Sequence, residues 1–443
     1  MSEHTVTIEK LAFGGAGLGH VAGKVCFVPF TAPGDTAQIR VKSEKRSYME
    51  GEMVELLDPS PFRVPPPCPV FGICGGCNWQ HLSYTNQQEA KQEIFADLLW
   101  RSGRVERGRI LPILAASEPY GYRSRIQLKL RFIAGHLHMG FYQAGSHCVV
   151  DIPQRCAIAR PAINQVFTEL HNVMSNIPEP DKFPQVDVTV GDDDAAGLVF
   201  HYRGSRQDDI ARYLAKRGNL PAAGLYIRSG RKESLQKVAG PDLLSYRIPE
   251  NFLAGSPTIT LTFAVGGFSQ VNYQQNLALI ATVFTWAGLT GREKVLDLYC
   301  GNGNFSIPLA GAAETVIGIE EYAPSISDAR RNCELNGVKN AEFRCADAVA
   351  AVGKLAASGE RFDVVILDPP RTGAAELISR IPLLKPGKIL YISCDPATLA
   401  RDIGILRKLD YEVVKCLPVD MFPQTYHLES ITLLEPTTMR TIC

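Results

Sequence analysis

Nothing in this chain looks built for a membrane or for export. No apolar run approaches the roughly 20 residues that cross a bilayer. The start lacks a basic segment followed by an apolar one, so no secretory leader is expected and the expected location is cytoplasmic. An excess of one charge is missing too. Lys plus Arg and Asp plus Glu number 46 each, a formal net charge of zero, so a polyanion would have to be met by a local basic face and not by the whole molecule. Internal repeats and low-complexity tracts are absent, which removes solenoids and disordered arrays. What remains is an ordinary globular composition, 45% hydrophobic and 21% charged over 443 residues, enough for two to four domains. Cysteine is the exception. There are twelve, and in a reducing compartment they are metal ligands, nucleophiles or core residues in preference to disulfides.

The chain divides into three patterns: 1–58, 59–265 and 266–443. The first has short alternating stretches (Thr5–Ile8, Val25–Val28, Ala37–Val41) punctuated by Gly14, Gly15, Gly17, Gly19 and Gly23. It predicts a small β-barrel of the oligonucleotide-binding type, with Arg40, Lys42, Lys45 and Arg46 near one end. Pro61, Pro65, Pro66 and Pro67 form a stiff connector, and Ile94, Leu98 and Leu99 fall at helical spacing within 86–103. From about 104 to 265 the pattern is mostly β. In Tyr122–Phe132, Ile126, Leu128, Leu130 and Phe132 point one way and Arg123, Arg125, Lys129 and Arg131 the other, a face suited to solvent or to phosphates. From 266 onward, near-continuous apolar runs (Val295–Leu298, Thr315–Ile319, Phe362–Leu367, Ile389–Ile392) alternate with helical patterns such as Ala323–Leu335. Such runs suit parallel strands covered on both faces. The fold class is therefore multi-domain α/β, ending in a doubly wound sheet whose final strand is expected at His427–Leu434.

The loop Asp297–Phe305 follows the first of these strands. Gly301 and Gly303 allow a tight turn and close approach to a ligand, but Ser306 stands where a dinucleotide fingerprint has its third glycine. Glu320, nineteen positions after Gly301, ends the next strand, where a carboxylate binds ribose hydroxyls. Asp347 follows a third strand and suits an adenine amine. The set points to an adenosine without phosphates, S-adenosylmethionine, with a dinucleotide as the alternative. Asp368, fixed by Pro369 and Pro370, ends the fourth strand as either a rigid exit or a ligand-holding carboxylate. Cys394, before Asp395–Pro396, ends the next, where the chemistry of such a sheet happens; Glu429 is its acidic counterpart on a later segment.

A second cysteine group is Cys68-x5-Cys74-Gly75-Gly76-Cys77. The glycines let several sulfurs converge, and a distant fourth ligand is expected from Cys156, with Cys148 as competitor. The spacing is not that of a zinc ribbon, and four thiolates suit zinc or a [4Fe–4S] cluster equally.

Five segments occur in order: Gly267–Asn272, Asp297–Asn304, Asp368–Arg371, Ser393–Pro396 and Phe422–Glu429. Together the chain resembles the RNA uracil-5 methyltransferase family across essentially its whole length. The N-terminal barrel resembles a TRAM domain, and the cysteine group resembles the iron–sulfur site of the branch that modifies 23S rRNA. The resemblance implies a class I methyltransferase fold at the C-terminus, S-adenosylmethionine as donor and a [4Fe–4S] cluster on Cys68, Cys74, Cys77 and Cys156. It further implies that Gln270, Tyr299, Asn304, Glu320, Asp347 and Asp368 line the cofactor and target-base site, with Cys394 as nucleophile and Glu429 as base. RNA is the implied partner, no membrane is, and a monomer is expected. His427 reads as structural, and Cys300, Cys333, Cys345 and Cys416 as core or incidental thiols.

The chemistry explains the residue types. Uracil C5 is a poor nucleophile; adding a thiolate at C6 makes it an enolate carbon able to attack a methyl sulfonium. A base must then remove the C5 proton before the thiolate leaves. The target base must be flipped out or single-stranded. Rival readings are 5-methyluridine formation in tRNA, amine methylation, which needs no thiol, and an RNA-binding assembly factor with a vestigial cofactor pocket.

Overall fold

Alternation in the first 58 residues closes a barrel. In the computed structural model, which describes residues 3–152, 155–216, 220, 224–230 and 234–437, β1 (Glu3–Leu11), β2 (Gly17–Val21), β3 (Lys24–Val28), β4 (Thr36–Glu44) and β5 (Tyr48–Asp58) pair in the order β1-β2-β3-β5-β4. Val6, Ile8, Cys26, Val28, Ala37 and Ile39 fill it. Glycine is required where strands nearly touch: a Cβ at Gly19 would lie 2.3 Å from the Thr7 carbonyl oxygen. The basic end is weaker than its sequence suggests, because Arg40 pairs with Glu3 and Lys42 with Glu52.

The next helix, α1 (Tyr84–Leu98), is capped by Ser83, whose hydroxyl accepts from the Asn86 N–H. Its Phe95, with Leu99 and Val105 beyond it, packs into one of the two cores of the C-terminal sheet. Helix α1 thus belongs physically to a layer that begins far downstream.

The middle of the chain builds a seven-stranded sheet, β12-β11-β10-β9-β6-β7-β8, from β6 (Arg125–Ile133), β7 (His136–Tyr142), β8 (Val149–Asp151), β9 (Gln185–Val190), β10 (Ala196–His201), β11 (Gly224–Arg228) and β12 (Leu235–Ala239). It is not only β: α2 (Pro161–Ser175) and α3 (Gln207–Ala215) join it in one core. On β6, Ile126, Leu128 and Leu130 are buried as expected. The opposite face is less available than its charge implies. Arg125 donates to the Gly267 carbonyl at 2.8 Å, Arg123 to the Arg125 carbonyl at 2.9 Å, and Lys129 to Gln185.

A hairpin, β13 (Leu243–Ile248) and β14 (Ile259–Ala264), leads into the last layer. There β15 (Lys294–Leu298), β16 (Thr315–Glu320), β17 (Ala341–Cys345), β18 (Val364–Leu367), β19 (Lys388–Ser393), β20 (Tyr411–Val419) and β21 (Glu429–Pro436) form the sheet β17-β16-β15-β18-β19-β21-β20. The first five strands run parallel and β21 is antiparallel to both neighbours. Helices α4 (Tyr273–Ala287), α5 (Ser306–Ala310), α6 (Ala323–Leu335), α7 (Ala348–Ala357), α8 (Ala375–Ile378) and α9 (Pro396–Arg407) accompany it. Strand order reverses at β15, with β16 on one side and β18 on the other, so a crevice opens at the carboxyl ends of β15, β18 and β19. Among the described residues no helix is long and apolar enough to cross a membrane.

Candidate functional site

The crevice is walled by acids. Asp297 on β15 is fully buried; one carboxylate oxygen accepts from the Ser306 hydroxyl and the other has no partner. Burial raises it to about 7 despite the Ser306 hydrogen bonds. Asp368, just past β18, is pushed to about 7 by burial and then by the Asp297 carboxylate. The two are close enough for one charge to suppress the other.

Strand register brings the thiol and the last carboxylate together. Ser393, the last residue of β19, pairs with Ser430 across the antiparallel β19–β21 ladder, so Cys394, just past the strand, comes near Glu429 at the start of β21. Asp395 then caps α9, accepting from the Ala397 and Thr398 N–H groups at 2.9 Å. Burial pushes the Cys394 thiol up to about 12, with the charges of Glu429 and Asp368 acting in the same direction and Arg371 opposing them. Glu429 is 6% exposed and its Oε1 has no partner. Burial, and then Asp368, raise its carboxyl well above the ordinary range, again opposed by Arg371. At rest the thiol is neutral, and Asp368 and Glu429 carry fewer charges than two free carboxylates would.

Tyr299, Glu320 and Asp347 form a second group. Tyr299 takes a left-handed backbone (φ 65°), and its hydroxyl is shifted upward by burial and then by Asp347 and Glu320. Glu320 accepts from the Tyr322 N–H at 2.8 Å, and Asp347 caps α7 through the Ala350 N–H at 2.8 Å. Both glycines of the loop, Gly301 and Gly303, have positive φ, and a Cβ at Gly303 would lie 2.8 Å from Ile307.

Asn304 and Gln270 are the remaining expected site residues. The Asn304 amide is engaged with Asn276 in both directions (2.9 and 3.0 Å) and accepts from the Tyr246 hydroxyl at 2.8 Å. Tyr246 and Asn276 line, with Gln270 and Ser124, a separate cavity of about 20 Å³. His427 stacks on Tyr426 (ring centroids 4.3 Å apart), and burial lowers it to about 4, so it is neutral and structural. Cys300, Cys333 and Cys416 are buried, and the exposed Cys345 donates to the Glu321 carbonyl.

Sequence reasoning assigned no role to Arg371 or Asp297, although both lie in segments it singled out. It also missed how the loop before Glu429 is held. Lys91 and Gln87 of α1 grip Asp420, Phe422 and Gln424, and the Tyr122 hydroxyl donates to the Pro423 carbonyl at 2.9 Å. The available signal was polar residues, Gln87 and Lys91, on the same four-residue spacing as buried Phe95.

Cys68, Cys74, Cys77 and Cys156 line one cavity of about 210 Å³, with Phe71, Arg123 and Lys129 among its other walls. Cys148 is exposed and not among its lining residues. Burial, then the neighbouring thiols, push Cys74 to about 11 and Cys77 to about 12. Four thiols lining one cavity are, in kind, a donor set that binds metal groups. Among the described residues, however, no three His, Cys, Asp or Glu side chains gather closely enough to hold a single ion.

Comparisons with known proteins show the family. The model of the tRNA (Uracil-5-)-methyltransferase family matches residues 84–437, and that of the TRAM domain residues 2–54. The 23S rRNA (uracil(1939)-C(5))-methyltransferases RlmD of Methylococcus capsulatus and Alkalilimnicola ehrlichii are 36% and 33% identical to it, each alignment covering 97% of this chain and 96% of the relative. The crystal structure of Pyrococcus abyssi tRNA (uracil-54, C5)-methyltransferase, in complex with S-adenosyl-L-homocysteine, is 27% identical, covers 97% of this chain and 99% of its own, and superposes with a TM-score of 0.74. The chain belongs to the S-adenosylmethionine-dependent RNA uracil-5 methyltransferases, with an N-terminal TRAM domain.

Proposed function

We propose that this enzyme methylates C5 of one uridine in 23S rRNA, the position that its RlmD relatives are named for. The observation that carries the reading is the β19–β21 register, which brings a neutral thiol, Cys394, to a buried carboxylate with one unpartnered oxygen, Glu429. The Cys394 thiol gives up its proton to solvent, its sulfur bonds to C6 of a flipped uracil, and the ring electrons pass to C5. C5 takes the methyl group, and S-adenosylhomocysteine leaves. Glu429 removes the C5 proton, worth typically about 10²–10⁴-fold, and the C6–S bond breaks to restore the ring. Asp368 holds the base edge, while Tyr299, Glu320 and Asp347 hold the adenosine, with Gln270 and Asn304 bracing the pocket wall. Positioning of this kind can contribute about 7–11 kcal/mol. The donor carries a sulfonium cation, and an opposite charge beside Cys394, Asp368 and Glu429 favours their ionised forms; activation of the thiol thus waits for the donor.

A [4Fe–4S] cluster on Cys68, Cys74, Cys77 and Cys156 fits a cavity wider than one ion needs, and four thiolates are its usual ligands. Methyl transfer needs no redox step, so the cluster's role is structural or RNA-positioning. Iron and sulfide in stoichiometric amounts are expected in purified protein; zinc without sulfide would refute the assignment. The three domains are expected to divide near residues 58 and 265.

Glu429→Gln is the direct test. It should leave methylation possible and release blocked, so a denaturant-resistant protein–RNA band accumulates on a transcript of the 23S segment. A second reading, a tRNA substrate, is favoured by the structural neighbour from Pyrococcus abyssi. Mapping 5-methyluridine in both RNAs of a deletion strain decides between them.

A further inference from the structure

We infer that Gln87 and Lys91, one turn apart on α1, are positioning residues that set the Glu429 carboxylate against the reacting base. The inference rests on the adduct chemistry proposed above and concerns its last step.

The two residues grip a loop 337 and 329 positions away in sequence. Lys91 Nζ donates to Asp420 Oδ1 at 2.5 Å and to the Phe422 carbonyl at 3.0 Å. Gln87 and Gln424 bond reciprocally: Gln87 Nε2 donates to Gln424 Oε1 at 2.9 Å, and the Gln424 N–H donates to Gln87 Oε1 at 3.0 Å. Gln424 is held at φ +69°, a region that side chains other than glycine rarely adopt. Its carbonyl accepts from the N–H groups of Asn78 and Trp79 at 3.0 and 3.1 Å. Gln87, Lys91, Asp420 and Gln424 are all buried to 1% exposure or less.

Stability alone does not explain this arrangement. Replacing a fully buried ion pair by packed apolar side chains is often neutral or stabilising, and a strained backbone persists only where its surroundings over-determine it. Both features fall in the loop that ends at Glu429. Glu429 is the first residue of β21, so the sheet ladder holds it on one side and this loop on the other. Cys394 is fixed from outside this loop, by the Asp395 cap on α9 as well as by the pairing of Ser393 with Ser430. Loosening the loop therefore affects the base and spares the nucleophile: bond formation and methylation continue, and proton removal slows.

The test uses the full-length enzyme, an in vitro transcript of the 23S segment and three variants. Gln87→Leu removes the amide clasp; Lys91→Met with Asp420→Leu removes both charges and leaves none unpaired; Glu429→Gln is the reference. The measurements are the steady-state fraction of denaturant-resistant adduct, kcat, the S-adenosylhomocysteine dissociation constant and the melting temperature. The expected result is an adduct fraction raised about fivefold or more and kcat lowered about tenfold in the first two, with the dissociation constant within about twofold of wild type. Wild-type adduct levels in both, alongside trapping by Glu429→Gln, would overturn the positioning role alone. Lost cofactor affinity and a collapsed melting transition in both would overturn it too, as contacts that merely hold the fold. No trapping by Glu429→Gln would instead bring down the chemistry beneath it.

Discussion

Burial pushes up the thiols of Cys74, Cys77 and Cys156 at one place in the molecule and of Cys394 at another, and their neighbours make the two places opposites. Around the 210 Å³ cavity, Cys68, Cys74, Cys77 and Cys156 face one another. Around Cys394 the neighbours are Glu429, Asp368 and the cation of Arg371. Thiols among thiols are satisfied by a metal that takes all their protons away at once. A single thiol facing carboxylates is held neutral by burial and by their charges. Burial is common to both, so burial alone does not distinguish them; the identity of the surrounding groups does.

The largest expected contrast comes from removing one sulfur from each place. Cys394→Ala should lower methyl transfer by about 10³-fold or more while leaving iron and sulfide content unchanged. Cys77→Ala should lose metal and melt at lower temperature; metal and activity assays on the same preparations separate the two. A smaller effect is expected from Arg371→Met. Without that cation both the thiol and Glu429 shift further up, so kcat at neutral pH should fall about tenfold, and the acid limb of the pH–rate profile should move to higher pH.

The acids make a third prediction. Asp297 and Asp368 are raised in the folded state, so the stability they contribute is full below the ordinary carboxylate range near 4 and is lost as pH rises through about 7. Unfolding of the unliganded protein should therefore become easier across that window, by on the order of 1 kcal/mol per pH unit for each group that titrates, and Asp297→Asn should flatten the slope in denaturant titrations. The smallest effect is expected from Tyr122→Phe, which removes one hydrogen bond to the loop before Glu429: about 0.5–1.5 kcal/mol, with the metal site unchanged. A large loss of metal there would mean that the two places are one.

Legibility differed between regions for physical reasons. The parallel strands were readable because burial on both faces writes a continuous apolar run, as in Val364–Leu367, all of it buried. The β20 strand was missed because it alternates, carries Lys415 and Pro418, and shifts register between Val413 and Lys415. Helices α2 and α3 were missed under a mostly-β reading of the middle region, although Ile163, Val166, Phe167, Leu170, Val173 and Met174 mark a helical stripe on α2. The barrel was readable, but the ion pairs that neutralise its basic end were not, since Glu3 and Glu52 reach Arg40 and Lys42 only across strands.

From the sequence alone came the residue types and their order: the glycine loop, the acid after each strand, the cysteine before Asp395, the four-cysteine set. These are local, because a strand end or a tight turn is specified by a handful of neighbouring side chains. Only the tertiary structure decided which of them meet. Strand pairing brought Cys394 near Glu429, α1 came to hold the loop between β20 and β21, and Asn304 found Asn276. Such meetings depend on contacts between residues hundreds of positions apart, chosen by the packing of whole layers and invisible to any short window of chain.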